Sequence, residues 1–268
     1  MKKYVNLFVF VFMIGACLSQ GRAQTKSAVS YKNPVVDIAM PDPTVIKAAD
    51  GYFYVYATES TRNVPIMKSK DLVEWTYCNT AFTNKTRPRF EPKAGIWAPD
   101  INYINGKYVL YYAMSVWGGE QTCGIGVATA DSPQGPFTDH GKMFRSNEIG
   151  VQNSIDPSLL QYEGRNYLVW GSFRGIYVIE LTADGLSIMP GAKKKRIAGT
   201  AFEAVYIHKH DDYYYMFASI GSCCQGVKST YKVVVGRSKK VWGPYKDKTG
   251  KPMLKNGYSL VIGANDHF

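Results

Sequence analysis

Four acidic residues carry the chemistry that this chain offers: Asp42, Asp100, Asp156 and Glu203, spaced 58, 56 and 47 residues apart. Carboxyl groups in different surroundings divide acid and base work between them. One keeps its proton for a leaving oxygen while another stays ionised and activates water, which is the equipment of glycoside hydrolysis. A single Asp-Pro pair expresses only a turn preference. Four acids repeated at regular intervals point further, because crowded carboxylates repel and cost stability unless a site uses them. Trp97, just before Asp100, and Trp117, farther on, are placed to offer flat apolar faces on which a sugar ring stacks. Other catalytic equipment does not emerge from the sequence: there is no Ser/His/Asp arrangement, no glycine-rich phosphate loop and no Cys-x-x-Cys spacing. Of His140, His208, His210 and His267 only one pair is close, and His208 and His210 alternate along an expected strand.

The acids can act together only if the fold brings them together, and the segments around them share one plan. Asp42-Pro43-Thr44-Val45-Ile46 is followed by GYFYVYAT from Gly51, and Asp100-Ile101-Asn102-Tyr103-Ile104 by GKYVLYYAMS from Gly106. Asp156-Pro157-Ser158-Leu159-Leu160 precedes GRNYLVWGSF from Gly164, and Glu203-Ala204-Val205-Tyr206-Ile207 precedes DYYYMFAS from Asp212. Matching outer parts follow three of them: MKSKDLVEW from Met67, VATADSPQGPF from Val127 and VGRSKKVWGPY from Val235. An acid, a short strand, a turn and an aromatic strand at this period predict a four-stranded blade of a β-propeller. Each innermost strand of a propeller begins at one rim of a central channel, so the four carboxyls are expected to converge on one mouth.

Composition agrees with an all-β globular domain. The chain has 268 residues, 46% hydrophobic and 14% aromatic, with Tyr 20 and Gly 25, which excludes disorder and favours strands. The net charge of +11 is scattered apart from Lys193-Lys194-Lys195-Arg196, so a nucleic-acid partner is not expected. Lys2 and Lys3 precede an apolar run from Val5 to Ile14 that is too short for a membrane span and reads as a secretory signal. Residues 1–23 form that signal if cleavage follows Ala23; Ile14-Gly15-Ala16-Cys17 equally resembles a lipobox, with the signal ending before a lipidated Cys17. Export to the periplasm, the medium or the bacterial cell surface follows. Of the cysteines beyond the signal, the adjacent pair Cys223-Cys224 joins only with strain, so no cysteine metal site is expected.

The strings MPDPTVI, GIWAPDI, NSIDPSLL and FEAVYI, and above all GSCCQGVKSTYKVVVGRS with WGPYKDKTGKPML, resemble glycoside hydrolase family 43. Within it they look most like bacterial endo-1,5-α-L-arabinanases, and the likeness runs from about Tyr31 to the end. The resemblance implies a five-bladed β-propeller that inverts configuration at the anomeric carbon. It implies Asp42 as general base, Glu203 as general acid and Asp156 as the acid that sets the orientation and pKa of Glu203. Asp100 lies in the WAPD motif, where the family places no catalytic acid. Trp97, Trp117, Asn153 and Ser154 fall where similar enzymes shape the sugar pocket, and Arg174 either binds sugar or balances the acids. The substrate implied is arabinan or the arabinan side chains of pectin, cleaved by a monomer that needs no cofactor for its chemistry. Two family features differ: Pro41 stands where many arabinanases carry His, and a Gly-His-Asn motif, whose His takes part in a structural calcium site near the axis, would fall beyond Phe268. Residues 31–268 give four blades and a fraction at about 55 residues per blade, so the catalytic domain is expected to be C-terminally incomplete, with the fifth blade largely missing. An exo-acting α-L-arabinofuranosidase or β-xylosidase of the same family, and a non-catalytic glycan-binding propeller, are the alternatives.

Overall fold

In each repeat the acid-led segment and the aromatic run become two antiparallel strands, and the outer part supplies two more. The computed structural model describes residues 31–263; the signal segment with Cys17, and His267, lie outside the described residues. Blade 1 comprises β1 (Thr44–Lys47), β2 (Phe53–Tyr56), β3 (Pro65–Ser69) and β4 (Thr76–Thr80). Blade 2 comprises β5 (Gly95–Ile104), β6 (Lys107–Ser115), β7 (Gly124–Ala130) and β8 (Thr138–Arg145), followed by one helical turn, α1 (Ser146–Ile149). Blade 3 is β9 (Ser158–Tyr162), β10 (Arg165–Trp170), β11 (Ile176–Glu180) and β12 (Lys195–Ala198). Blade 4 is β13 (Glu203–His210), β14 (Tyr213–Ile220), β15 (Lys232–Ser238) and β16 (Ser259–Ile262). All pairings are antiparallel and follow chain order within each blade.

Short turns hold these hairpins. Asn105-Gly106 joins β5 to β6 with both residues at positive φ, 48° and 85°, the geometry whose twist matches a two-residue hairpin.

The second strand of each inner blade explains why its sequence runs apolar without alternating. In β6, Tyr108, Leu110, Tyr112 and Met114 pack into a core shared with blade 1, while Val109 and Tyr111 enter the core shared with blade 3. Both faces are buried, so both phases of the strand's two-residue period are apolar. A third core joins blades 3 and 4 through Val169, Val178, Val205, Ile207, Met216 and Val234. Blade 4 differs on its far side. Tyr206, Phe217 and Val235 lie across from one another on neighbouring strands, and all three are exposed or half-buried.

The all-β propeller expected from the repeats is what forms. The described residues make four blades rather than five, because each of the four acid-led repeats supplies one complete four-stranded sheet. Innermost strands pack in order, β1 on β5, β5 on β9 and β9 on β13. They line a central cavity of about 860 Å³ whose wall includes Thr44, Asp100, Leu159 and His208.

Candidate active site

Asp42 and Asp156 each precede an innermost strand and Glu203 begins one, so all three stand at the same end of the channel. Asp42 and Asp156 adopt left-handed backbone conformations, φ 49° and 58°, directly before Pro43 and Pro157. Proline disfavours the right-handed helical region for the residue before it, and Asp tolerates the left-handed one better than most side chains. At blade 4 the same reorientation is done by Ala204, φ 51°, where the ladder between β13 and β14 shifts register after Glu203. An alanine at positive φ is held there at a cost of about 1–2 kcal/mol. Its N–H donates to Asp156 Oδ2 at 3.2 Å, which couples the acids of blades 3 and 4.

The three carboxyls have different surroundings. Asp42 is exposed and accepts a hydrogen bond from Thr58 Oγ1 at 2.5 Å. Glu203 is buried, accepting from Ser172 Oγ at 2.6 Å and from the Tyr231 hydroxyl at 2.7 Å. Burial above all, and then the charge of Asp42, raises its pKa against the pull of those two donors. Asp156 is pushed well above the usual carboxylate range by burial and then by repulsion from Glu203 and Asp42. Exposed Asp42 therefore faces half-buried Asp156 and buried Glu203, both of which hold a proton more tightly than a free carboxyl.

Two expectations about charge change with this geometry. Burial, rather than an ionised Asp156, is the main cause that raises Glu203. Asp42 is held by a threonine hydroxyl. Arg174 instead forms a forked ion pair with Glu120, at 3.1 and 2.9 Å, so it does not balance the three acids.

Asp100 does not join the cluster, contrary to the convergence expected of all four repeats. The β5–β6 ladder shifts register between Trp97, opposite Ala113, and Asp100, opposite Tyr111. In blade 4 the corresponding shift lies between Glu203 and Tyr206. Trp97 thus occupies on blade 2 the place that Glu203 takes on blade 4, and Asp100 stands three residues farther down the channel wall.

Trp97 packs against Trp117 with ring centroids 5.5 Å apart, and Trp117 is 77% exposed. The close approach of Trp97 to its own strand needs Gly95, where a Cβ would lie 2.3 Å from the indole nitrogen. Asn153 donates through Nδ2 to the carbonyl and hydroxyl of Ser172, at 3.1 and 2.9 Å, and so supports a group that holds Glu203. Ser154 is corrected: it is wholly buried, its hydroxyl donating to Val151 O and accepting from Trp170 Nε1, so it cannot meet a sugar.

Sequence reasoning missed Thr58, Ser172 and Tyr231. A signal for the first two was present, since each aromatic run carries a hydroxyl within two residues of its strand's end: Thr58, Ser115, Ser172 and Ser219. A second strand runs back to the rim where the first began, so its last residue arrives beside the acids. Tyr231 follows the Cys-Cys loop, and that loop also borders the site. The Cys223 thiol is pushed up to about 12 by burial, by Cys224 and by the charges of Glu203 and Asp42.

Among the described residues, no group of three or more His, Cys, Asp or Glu side chains is placed to hold a metal ion. Asp100, on the described channel wall, is committed to donors from Asn102, Leu159 and Thr44.

Comparison with known proteins adds to this geometry. The profile of the glycosyl hydrolases family 43 matches residues 31–266. The chain is 38% identical over 241 residues to the extracellular endo-α-(1→5)-L-arabinanase of Bacillus subtilis (strain 168), covering 85% of this chain and 73% of that protein. It is 36% identical over 253 residues to the extracellular exo-α-(1→5)-L-arabinofuranosidase of Cellvibrio japonicus, covering 84% and 71%. The solved α-L-arabinanase of Cellvibrio cellulosa, complexed with arabinohexaose, superposes with a TM-score of 0.76 at 33% identity, over 84% of this chain and 79% of that one. The native arabinanase of Bacillus subtilis gives a TM-score of 0.73 at 34% identity, over 84% and 81%.

Proposed function

This chain belongs to glycosyl hydrolases family 43, and from that premise we propose that it is an inverting endo-1,5-α-L-arabinanase, cleaving α-1,5 bonds between L-arabinofuranosyl units of arabinan. The observation that carries the reading is the meeting of exposed Asp42 with half-buried Asp156 and buried Glu203 at one mouth of the propeller. Asp42 acts as general base on a water. Glu203, with its pKa raised, protonates the leaving oxygen. Asp156, joined to the backbone beside Glu203 through Ala204, holds the acid's orientation. Inversion needs room for that water, so base and acid stand about 6.5–9.5 Å apart in such enzymes. Carboxyls and water suffice, and the reaction takes no cofactor.

Trp97 and Trp117 form the aromatic wall against which arabinose rings lie, with Arg174 and its partner Glu120 at its edge. The protein acts as an exported monomer on arabinan or pectic side chains, in keeping with the extracellular relatives in Bacillus and Cellvibrio. The open face of Tyr206, Phe217 and Val235 supports a ring with a place for a fifth blade beside blade 4. An exo-acting enzyme is the second reading, favoured by the Cellvibrio japonicus relative. Early digests of linear arabinan decide between them: a spread of oligosaccharides supports endo cleavage, while a single small product from the start supports exo. Proton NMR of the first product showing retained configuration would overturn the inverting mechanism.

A further inference from the structure

Asp100 is a carboxylate that the acid cluster leaves unused, and its hydrogen bonds reach three blades. It stands half-buried on β5, where its Oδ2 accepts from the Leu159 N–H and from Asn102 Nδ2, each at 2.7 Å. Thr44 Oγ1 donates to it as well, and that hydroxyl accepts from the Ile101 N–H at 3.3 Å. Leu159 lies three residues past Asp156, and Thr44 two residues past Asp42. One side chain on blade 2 thus holds the starts of the strands that carry acids on blades 1 and 3. We propose that Asp100 is a positioning residue that fixes Asp42 relative to Asp156 and, through the Asp156–Ala204 hydrogen bond, relative to Glu203. This rests on the catalytic assignment made above.

Ionisation of this group works against the fold. Burial pushes Asp100 up to about 6, although the hydrogen bonds from Leu159, Asn102 and Thr44 pull the other way. Around the channel stand Lys47 on β1, Tyr103 on β5, Tyr162 and Glu163 at the end of β9, and Tyr206, His208 and Lys209 on β13, with Tyr214 on β14. Tyr111 approaches from β6. Burial and the three hydrogen bonds are what set the value. Because the folded value is raised, the stability this group contributes is present below its unfolded pKa and is lost as pH rises through about 6. Asparagine of the same shape would escape that penalty, so packing alone would favour it. Asparagine keeps one oxygen for the Leu159 and Asn102 donors, which both meet Oδ2, but its amide nitrogen cannot accept from a hydroxyl such as that of Thr44.

The test uses the full chain with Asp100→Asn. Thermal midpoints should exceed those of the parent by a few degrees above pH ~6.5 and match them below pH ~4. The ¹³C carboxyl titration of Asp156 should be displaced, and kcat on linear arabinan should fall by about tenfold or more with KM within about twofold, as expected of a small displacement between acids. Thr44→Val should reproduce part of the kcat loss and Thr44→Ser should restore it, an arm that stands even where Asp100→Asn fails to fold. A more stable variant with unchanged kcat and an unchanged Asp156 titration overturns the proposal, as does one destabilised equally at every pH. Should the parent protein leave arabinan intact while the Asp156 titration still moves, the substrate assignment fails and the positioning role stands.

Discussion

At the scale of single residues, the proposed acid and base are separated by environment more than by residue type. Glu203 lies in the interior with two hydroxyl donors, whereas Asp42 is open to water. Glu203→Gln should therefore remove most activity on arabinan but far less on an aryl glycoside, whose good leaving group needs little protonation. Asp42→Asn should abolish turnover of both, and equal modest losses from the two changes would contradict the assignment. Tyr231 gives a finer test. Its hydroxyl stabilises the ionised form of Glu203 and so lowers that pKa. Tyr231→Phe removes the donor, so the acid holds its proton to higher pH. The basic limb of kcat/KM should move upward by up to about one unit, and a downward shift would show that Tyr231 acts in another way.

At the scale of elements, the mouth is shaped by the join between neighbouring blades. Glu59, after β2, accepts hydrogen bonds from the Asn63 and Ile96 N–H groups at 2.8 and 2.9 Å and is paired with Arg87, which also donates to Ala94 O. Both charged side chains are nearly buried, at 8% and 9% exposure for Arg87 and Glu59. This pair ties blade 1 to the start of β5, one residue before Trp97. Removing one partner of a buried pair leaves the other uncompensated, at a cost of about 3–5 kcal/mol. Arg87→Met should lower stability by that order in denaturant titration and also raise KM, because the Trp97 wall loses its anchor. A loss below about 1 kcal/mol would mean that solvent replaces the guanidinium freely.

At the scale of the whole molecule, two sets of titrating groups oppose each other. Asp100, Asp156 and Glu203 all have raised values, chiefly through burial, so the stability they contribute is lost as pH rises through those values. Glu59 is held below its ordinary value by Arg87 and backbone donors that outweigh its burial, and its contribution is lost as pH falls. The thermal midpoint should accordingly pass through a maximum at mildly acidic pH and decline toward pH ~8. A midpoint that rises steadily to pH ~8 would show that the channel and mouth carboxyls are better solvated than their burial implies. The same scale holds the uncovered side of blade 4, where Tyr206 is 56% exposed although its neighbours Val205 and Ile207 are buried against blade 3.

The sequence by itself determined the repeat, and with it the blade and the strand order. These follow from residue type and spacing: an acid at each strand start, aromatic runs for strands buried on both faces, and Gly at the hairpin turns. Spacing offered four acids, and only the likeness to family 43 singled out Asp42, Asp156 and Glu203. Tertiary structure decided what lies one or two residues away from that pattern. The acid of the second repeat looks equivalent to the others in sequence, yet the ladder aligns Trp97 with Glu203, so Asp100 lies three residues down the channel and a tryptophan stands at the rim. Ser154, two residues before Asp156, falls inside the core, while Ser172, at the end of another strand, reaches Glu203. The physical reason is that strand pairing, with its bulges, sets which residue of each repeat stands at the rim, and the hydrogen bonds that set a pKa come from strands on the same or a neighbouring blade that no linear spacing relates. Spacing in the chain fixes which strand a residue is on; only packing between blades fixes where that residue points and how far its carboxyl is from water.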